Sequence, residues 1–221
     1  MPAAVEPVSV ARRSGKSEVH ILRRTQEQRT AETRAALFAA AVATISRLGY
    51  SGASNAEIAD EAGVSRGAIT HHFATRAAFI AEVVRWVFEQ EVAAYQQIQR
   101  DRHVGTRVSD WPAISWEVLS RPSGVAVLEI FVASRSDPEL ASLIRPAQQA
   151  IEEAAASAFF DRIGATVRDP AAIRLVVWAV RGMALGREFI DDPGSMQASV
   201  DLLTSMFARL SPSGNLEELI G

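Results

Sequence analysis

From about residue 24 to residue 210 the apolar residues of this chain recur every three or four positions, and nowhere do they alternate over a useful length. That spacing lines up one stripe of a helix, whereas a half-buried strand needs a period of two. Leu37, Phe38, Ala41, Val42, Ile45 and Leu48 form the first stripe. Phe79, Ile80, Val83, Val84, Val87 and Phe88 form another, apolar on more than one face and therefore expected to be buried on several sides. The fold class is read as all-α: a helix-turn-helix head followed by a helical bundle.

Glycine, proline and capping residues punctuate this pattern. Gly49 is placed to close the first helix. Ser54 caps a short second helix, with Glu57 completing a capping box, and Gly63 breaks it. Ser65 is placed to cap a third helix over 66–73, and Thr75 a long fourth one running towards Arg100. Beyond Gly105 the chain stays helical with short breaks at Pro112, Pro122 and Pro138. Residues 138–164 read as one helix kinked at Pro146. Asp169 and Pro170 start another, which reaches about Ile190 before the turn at 191–194, and a last helix covers 195–210. The expected organisation is a disordered tail over 1–23, a helix-turn-helix domain over 24–76 and a helical body over 77–221.

Composition narrows the function. The chain has 221 residues, 48% hydrophobic and 22% charged, enough apolar material for a real core. It has no cysteine, which excludes disulfides, thiolate metal sites and a cysteine nucleophile. The first twenty residues carry Arg12, Arg13 and Lys16 but no apolar run of the kind a secretory signal needs. The greasiest stretch, 173–190, is interrupted by Arg174, Arg181, Arg187 and Glu188, so no membrane span and a cytoplasmic location are expected. The net charge is −3, but residues 1–76 hold 10 Lys+Arg against 7 Asp+Glu, and residues 77–221 hold 13 against 19. A basic third on an acidic body suits a protein that meets DNA with one end.

The most informative segment is 54–73, S-N-A-E-I-A-D-E-A-G-V-S-R-G-A-I-T-H-H-F. It encodes two short helices joined through Gly63. Ile58, Val64, Ile69 and Phe73 are the contacts that hold them together, which turns Arg66, Gly67, Thr70 and His71 outwards. A tight two-helix unit with a small, polar outer face is what a major groove accepts. Arg66 has the fork for guanine or phosphate, and Gly67 and Ala68 are small enough for close approach. Thr70 offers a hydroxyl or a methyl, and His71 and His72 offer donors to phosphate. Ser54 and Ser65, at the two helix starts, belong to the same candidate interface. Arg76, at the start of the next helix, is placed to grip a phosphate.

Other patterns carry less. Residues 63–67 match G-x-S-x-G, but that elbow needs a preceding strand and a sheet beneath it. His71 and His72 are adjacent and do not face one another, so no metal and no cofactor are implied. Glu152, Glu153 and Asp161 read as a solvated face with no partner cluster, which leaves an all-helical enzyme as an alternative alongside a DNA-independent dimeric adaptor. Trp86, Trp111, Trp116, Phe131 and Trp178 are either ordinary core or walls of a small-molecule pocket. Arg135 and Arg181 are read as surface or interface residues, with an acidic ligand as the alternative. Ala179, Gly182 and Gly186 place small residues on one face. With Val200, Leu203, Phe207 and Leu210 they suggest a close helix pair, either within the chain or doubled across a two-fold axis.

Residues from about 30 to 90 resemble the DNA-binding domain of the TetR (tetracycline repressor) family. The resemblance rests on Ile58-Ala59, Ala62-Gly63-Val64-Ser65, Gly67, Ile69, His72-Phe73 and then Arg76, where a lysine is commoner. Thr70 departs from the family, many of whose members have a phosphate-contacting tyrosine there. The resemblance implies a ligand-responsive repressor, dimeric on a palindromic operator of double-stranded DNA. It also implies that the body encloses a small-molecule effector among the aromatic residues named above. The last two helices would then form the homodimer interface through Ala179, Gly182, Gly186, Val200, Leu203 and Phe207. The fourth helix would link body to head.

Overall fold

The computed structural model describes residues 26–220, and the expected tail over 1–23 lies outside them. Over the described residues the chain is all-helical: α1 (Gln26–Gly52), α2 (Asn55–Glu61), α3 (Ala68–His72), α4 (Arg76–Arg102), α5 (Trp111–Leu119), α6 (Pro122–Ser134), α7 (Pro138–Ile163), α8 (Pro170–Gly186), α9 (Pro193–Leu210) and α10 (Leu216–Ile220).

Prolines 112, 122, 138 and 170 all lie in the first turn of a helix, where the missing N–H has no intrahelical partner to lose. The expected breaks are therefore helix starts. Asp137, Asp169 and Asp192 cap α7, α8 and α9 by accepting from backbone N–H groups of the first turn. α7 runs through Pro146 without interruption. Gly49, with φ 70° and ψ 168°, breaks the helical path of α1, after which one more short turn leads to Gly52. The five-residue α10 was not anticipated, because it is shorter than two turns and shows no period.

Two apolar cores are stacked along the molecule. The first joins Leu37, Ile45, Ile58, Ile69 and Phe79 of the N-terminal helices to Val127 and Ile130 of α6 and Leu140 of α7. The second gathers Ile98, Trp111, Phe159, Ile173, Val180 and Phe207 from α4, α5, α7, α8 and α9. α4 contributes Phe79 to Val87 to the first core and Ile98 to the second, so one rigid helix passes through both. The boundary expected at Arg76 falls on its first residue.

Candidate nucleic-acid interface

The turn between α2 and α3 is set by local chemistry. Ser54 Oγ accepts from the backbone N–H of Glu57 at 3.1 Å, capping α2. At the other end Gly63 adopts φ 66°, a left-handed conformation that costs a glycine nothing. Its N–H donates to Asp60 O, and the N–H of Val64 donates to Ala59 O at 3.0 Å, which closes the helix end as a Schellman turn. α3 is shorter than the expected 66–73. It spans Ala68–His72, and its cap residue is Gly67 without a side-chain bond, not Ser65. The chain needs residues 64–67 to reverse direction, and Ser65 serves there with its carbonyl, which accepts from Ala68 N at 2.9 Å.

Ile58, Ile69 and Phe73 are buried, and Val64 packs half-buried against them. The other side of the unit is open: Ser54, Ser65, Arg66, Gly67, Thr70 and His71 are exposed, and Ala68 and His72 half-buried. Arg66 lies 3.6 Å from Asp60, an ion pair with both side chains mostly in solvent. Such a pair is worth about 0–1 kcal/mol, so the guanidinium can leave it at little cost. Thr70 Oγ1 donates to Gly67 O at 3.0 Å and presents its methyl. Gly67 has an ordinary helical φ of −76°, and a Cβ there would meet nothing within 4 Å. Neither conformation nor packing demands glycine at this position.

Arg76, expected to grip a phosphate, also makes contacts within the head. Its Nη2 donates to Ala53 O at 2.6 Å and to Tyr50 O at 3.4 Å, its Nη1 donates to Asn55 Oδ1 at 2.7 Å, and the guanidinium stacks 5.1 Å from the Tyr50 ring centre. These contacts engage both terminal nitrogens of the group expected to hold a phosphate. Arg76 ties α4 to the segment that leads into α2. From the other side, Glu129 Oε2 on α6 accepts from Tyr50 N at 3.4 Å, next to the break at Gly49.

In the body, a cavity of about 160 Å³ opens between α4, α5, α7 and α8. Of the five aromatics singled out from sequence, Trp111 and Trp178 line it. Trp86 does not: it packs 6.1 Å from Phe38 against the first core. Trp116 packs on the second core, and Phe131 lies 6.3 Å from Trp178 along a neighbouring surface groove. Sequence reading missed Glu91, Tyr95, Ser115 and Gln148 in the cavity wall. It placed Arg181 on a surface or interface, yet this residue is 3% exposed. Arg181 donates from Nη2 to Glu91 Oε2 and from Nη1 to Gly124 O, both at 3.4 Å. Burial pushes the Glu91 carboxyl above its ordinary range, while Arg181 and Arg121 pull the other way. Burial also raises the Tyr95 hydroxyl, which is hydrogen-bonded to Ser115. A signal for Glu91 was present: it stands four residues after Val87 and seven before Ile98, in the buried register of α4.

The helix faces at the far end also differ from expectation. Val200 and Phe207 are buried in their own chain, and Leu203 packs half-buried on the same core. The solvent face of α9 instead carries Leu202, Met206 and Leu210, and that of α8 carries Leu175, Trp178 and Gly182. Ala179 and Gly186 are half-buried, and a Cβ at Gly182 or Gly186 would meet nothing within 4 Å. Close packing within the chain therefore does not require glycine at 182 or 186. Among the described residues no helix is long and apolar enough to cross a membrane. Among them also, no three His, Asp or Glu side chains gather as a metal site would require.

Known proteins share this arrangement. The family described as bacterial regulatory proteins, tetR family, matches residues 37–83, from α1 into α4. The tetracyclin repressor-like C-terminal domain matches residues 114–212, from α5 through α9. The HTH-type transcriptional regulator CymR of Pseudomonas putida is 43% identical over 68 residues, 31% of this chain and 34% of that protein. An uncharacterized HTH-type transcriptional regulator of Mycobacterium tuberculosis is 33% identical over 123 residues, 53% of this chain and 60% of that one. The chain thus spans about a third and three fifths of the length of these relatives. The crystal structure of the multidrug binding protein EbrR complexed with imidazole superposes with a TM-score of 0.54 at 24% identity, covering 80% or more of both chains (81% and 93%). With both of its characteristic regions matched in order along the chain, the protein belongs to the TetR family of HTH-type transcriptional regulators.

Proposed function

We propose that this protein is a ligand-responsive regulator, a repressor, that binds a roughly palindromic operator as a homodimer. The observation that carries the reading is the open face around α3. Arg66, Gly67, Thr70 and His71 stand exposed on a unit whose other side is fully packed, and Gly67 is a glycine the fold itself does not need. A side that is small and polar, with one loosely held arginine, suits close approach to a base edge. Ser54, Ser65 and His72 border it and are assigned to backbone contacts.

The exposed apolar faces of α8 and α9 support the dimer. Leu175, Trp178, Leu202, Met206 and Leu210 lie 45–63% exposed, a stripe that a monomer would leave in water. An isologous contact through this stripe would pair the two heads across a two-fold axis, as a palindromic operator requires. The cavity supports ligand response. Its Arg181 holds the first turn of α6 through Gly124 O, and Glu129 further along α6 holds Tyr50 beside the head. An effector that binds better when α6 is displaced would shift the population away from the DNA-binding state. That the multidrug binding protein EbrR shares this fold fits a body that can house small molecules.

Selection of binding sites from random duplex DNA by the purified chain, followed by gel shift at fixed salt, tests the reading. The expected product is a two-fold symmetric site whose base preference relaxes at one position per half-site in Arg66→Ala. Enrichment of no sequence, or unchanged binding of Arg66→Ala across all sites, would refute it.

A further inference from the structure

Among the described residues three buried side-chain polar atoms, Glu91 Oε1, Gln148 Oε1 and Thr204 Oγ1, have no hydrogen-bond partner. Glu91 is 4% exposed, and its Oε2 receives a long bond from Arg181, but its Oε1 meets no donor. A buried acceptor left unpaired is costly, and natural cores rarely keep one without a use. Gln148 Oε1, on α7, is a second buried acceptor without a donor. Both residues line the same cavity.

Four aromatic residues stand among otherwise aliphatic and polar walls. Tyr95 lies 6.0 Å from Trp111 with the rings 29° from parallel, which gives one flat aromatic side, and Phe88 and Trp178 also line the cavity. The Tyr95 and Ser115 hydroxyls pair with each other. Two acceptors in the cavity wall, Glu91 Oε1 and Gln148 Oε1, are left without a donor, and an occupant that brings one satisfies them.

Charge selects further. The Glu91 carboxylate faces Arg181 on α8 and feels Arg121 at the start of α6. In the cavity wall Arg181 balances Glu91 and Arg174 balances Glu152, while Arg121 is exposed, so neither a cation nor an anion finds a free opposite charge there. An anion would have to approach the open Oε1. Either would bury an uncompensated charge, at a cost of several kcal/mol.

We propose that the cavity binds an uncharged, flat molecule of one or two rings that donates an O–H or N–H to Glu91 Oε1, with Gln148 Oε1 as the second acceptor. This rests on the reading of the cavity as the effector site. The volume of about 160 Å³ is close to that of an engineered apolar cavity of about 150 Å³ that holds benzene. A site that pairs with a donor discriminates strongly against the same shape without it, because the buried acceptor is then left bare.

The test is isothermal titration of the full chain with six probes: phenol and indole as donors, toluene and benzothiophene as donor-free counterparts, benzoate as the anion and benzylamine as the cation. Phenol is expected to bind at least about tenfold tighter than toluene, and indole at least about tenfold tighter than benzothiophene, as a hydrogen bond to a charged acceptor implies. Both charged probes are expected to be weaker than phenol. In the double variant Glu91→Leu with Arg181→Met, which removes the ion pair and leaves no lone buried charge, the donor preference is expected to vanish. Glu91→Gln, closest in shape, is expected to reduce it. Equal affinities within each pair, tightest binding by benzoate or benzylamine, a donor preference that survives in the double variant, or no binding of any probe at millimolar concentration would each overturn the inference. Release of DNA by a bound probe is read separately by gel shift. Donor-selective binding without release would count against ligand response while leaving the ligand class in place.

Discussion

The guanidinium of Arg76 donates to the carbonyl of Ala53 at 2.6 Å, and by that bond the first residue of α4 fixes the entry to α2. Ala53 is fully buried, so its carbonyl has no water to turn to. Arg76→Ala is expected to cost about 2–3 kcal/mol by denaturant unfolding, from lost charge-assisted bonds and an unpaired acceptor. Arg76→Lys is expected to recover less than half of that, since an ammonium cannot span Ala53 O and Asn55 Oδ1 as the planar fork does. Under conditions where Arg76→Lys is folded, the salt slope of its DNA binding should equal that of the parent. Were Arg76→Ala, folded under its own permissive conditions, to lower that slope by about 1, Arg76 would hold a phosphate after all.

Gly67 offers a substitution in which stability and DNA affinity should separate. Its backbone is helical and the space above it is empty. Gly67→Ala is therefore expected to change stability by less than about 1 kcal/mol. If this backbone lies against the duplex, the added methyl should weaken operator binding by about tenfold or more in a gel shift. Full affinity in a folded Gly67→Ala would remove α3 from the groove.

What was legible in the sequence follows from how far apart the cooperating residues lie. The unit around Gly63 is local: Ser54, Ile58, Gly63, Ile69 and Phe73 set its caps, turn and packing within twenty residues, and its exposed face could be read directly. The intramolecular contacts of Arg76 were not legible, because a cation at a helix start suits a phosphate and a neighbouring carbonyl equally well, and the carbonyl belongs to a loop 23 residues away. The cavity was hidden because its polar groups come from four helices, with Glu91 and Arg181 separated by 90 positions. Tryptophans were a poor guide to it, since Trp86 and Trp116 serve cores. On α9 both faces are apolar, so period alone could not tell inward Phe207 from outward Met206.

That ambiguity on α9 makes a contrast in assembly. Met206 is 48% exposed, whereas Phe207 is buried on the second core. Met206→Arg, and equally Leu202→Arg, is expected to leave the fold intact while weakening self-association by at least tenfold in sedimentation velocity, because the charge would be buried at the contact. Phe207→Ala is expected to cost the chain about 3–5 kcal/mol through the cavity it leaves. A monomeric Phe207→Ala of parental stability, with Met206→Arg still dimeric, would restore the interface first read from sequence.

The C-terminal helix supplies a pH-dependent fastening. Leu216 is fully buried, and beside it Glu217 Oε1 accepts from the Thr166 hydroxyl at 2.6 Å and from the backbone N–H groups of Thr166 and Val167. These bonds favour the charged form and hold the Glu217 carboxyl at about 2, below its ordinary 4.5. A depressed folded value means that the ionised group stabilises the native state fully above the unfolded value, and that this contribution fades as pH falls from there through about 2. Glu217→Gln should therefore lower the Tm relative to the parent at pH 7, with the gap closing between about pH 5 and pH 2. A carbon-detected NMR titration should place the Glu217 carboxyl well below the ordinary 4.5. A Tm gap that stays constant through the acid range would show that the Glu217 contacts do not favour the charged form.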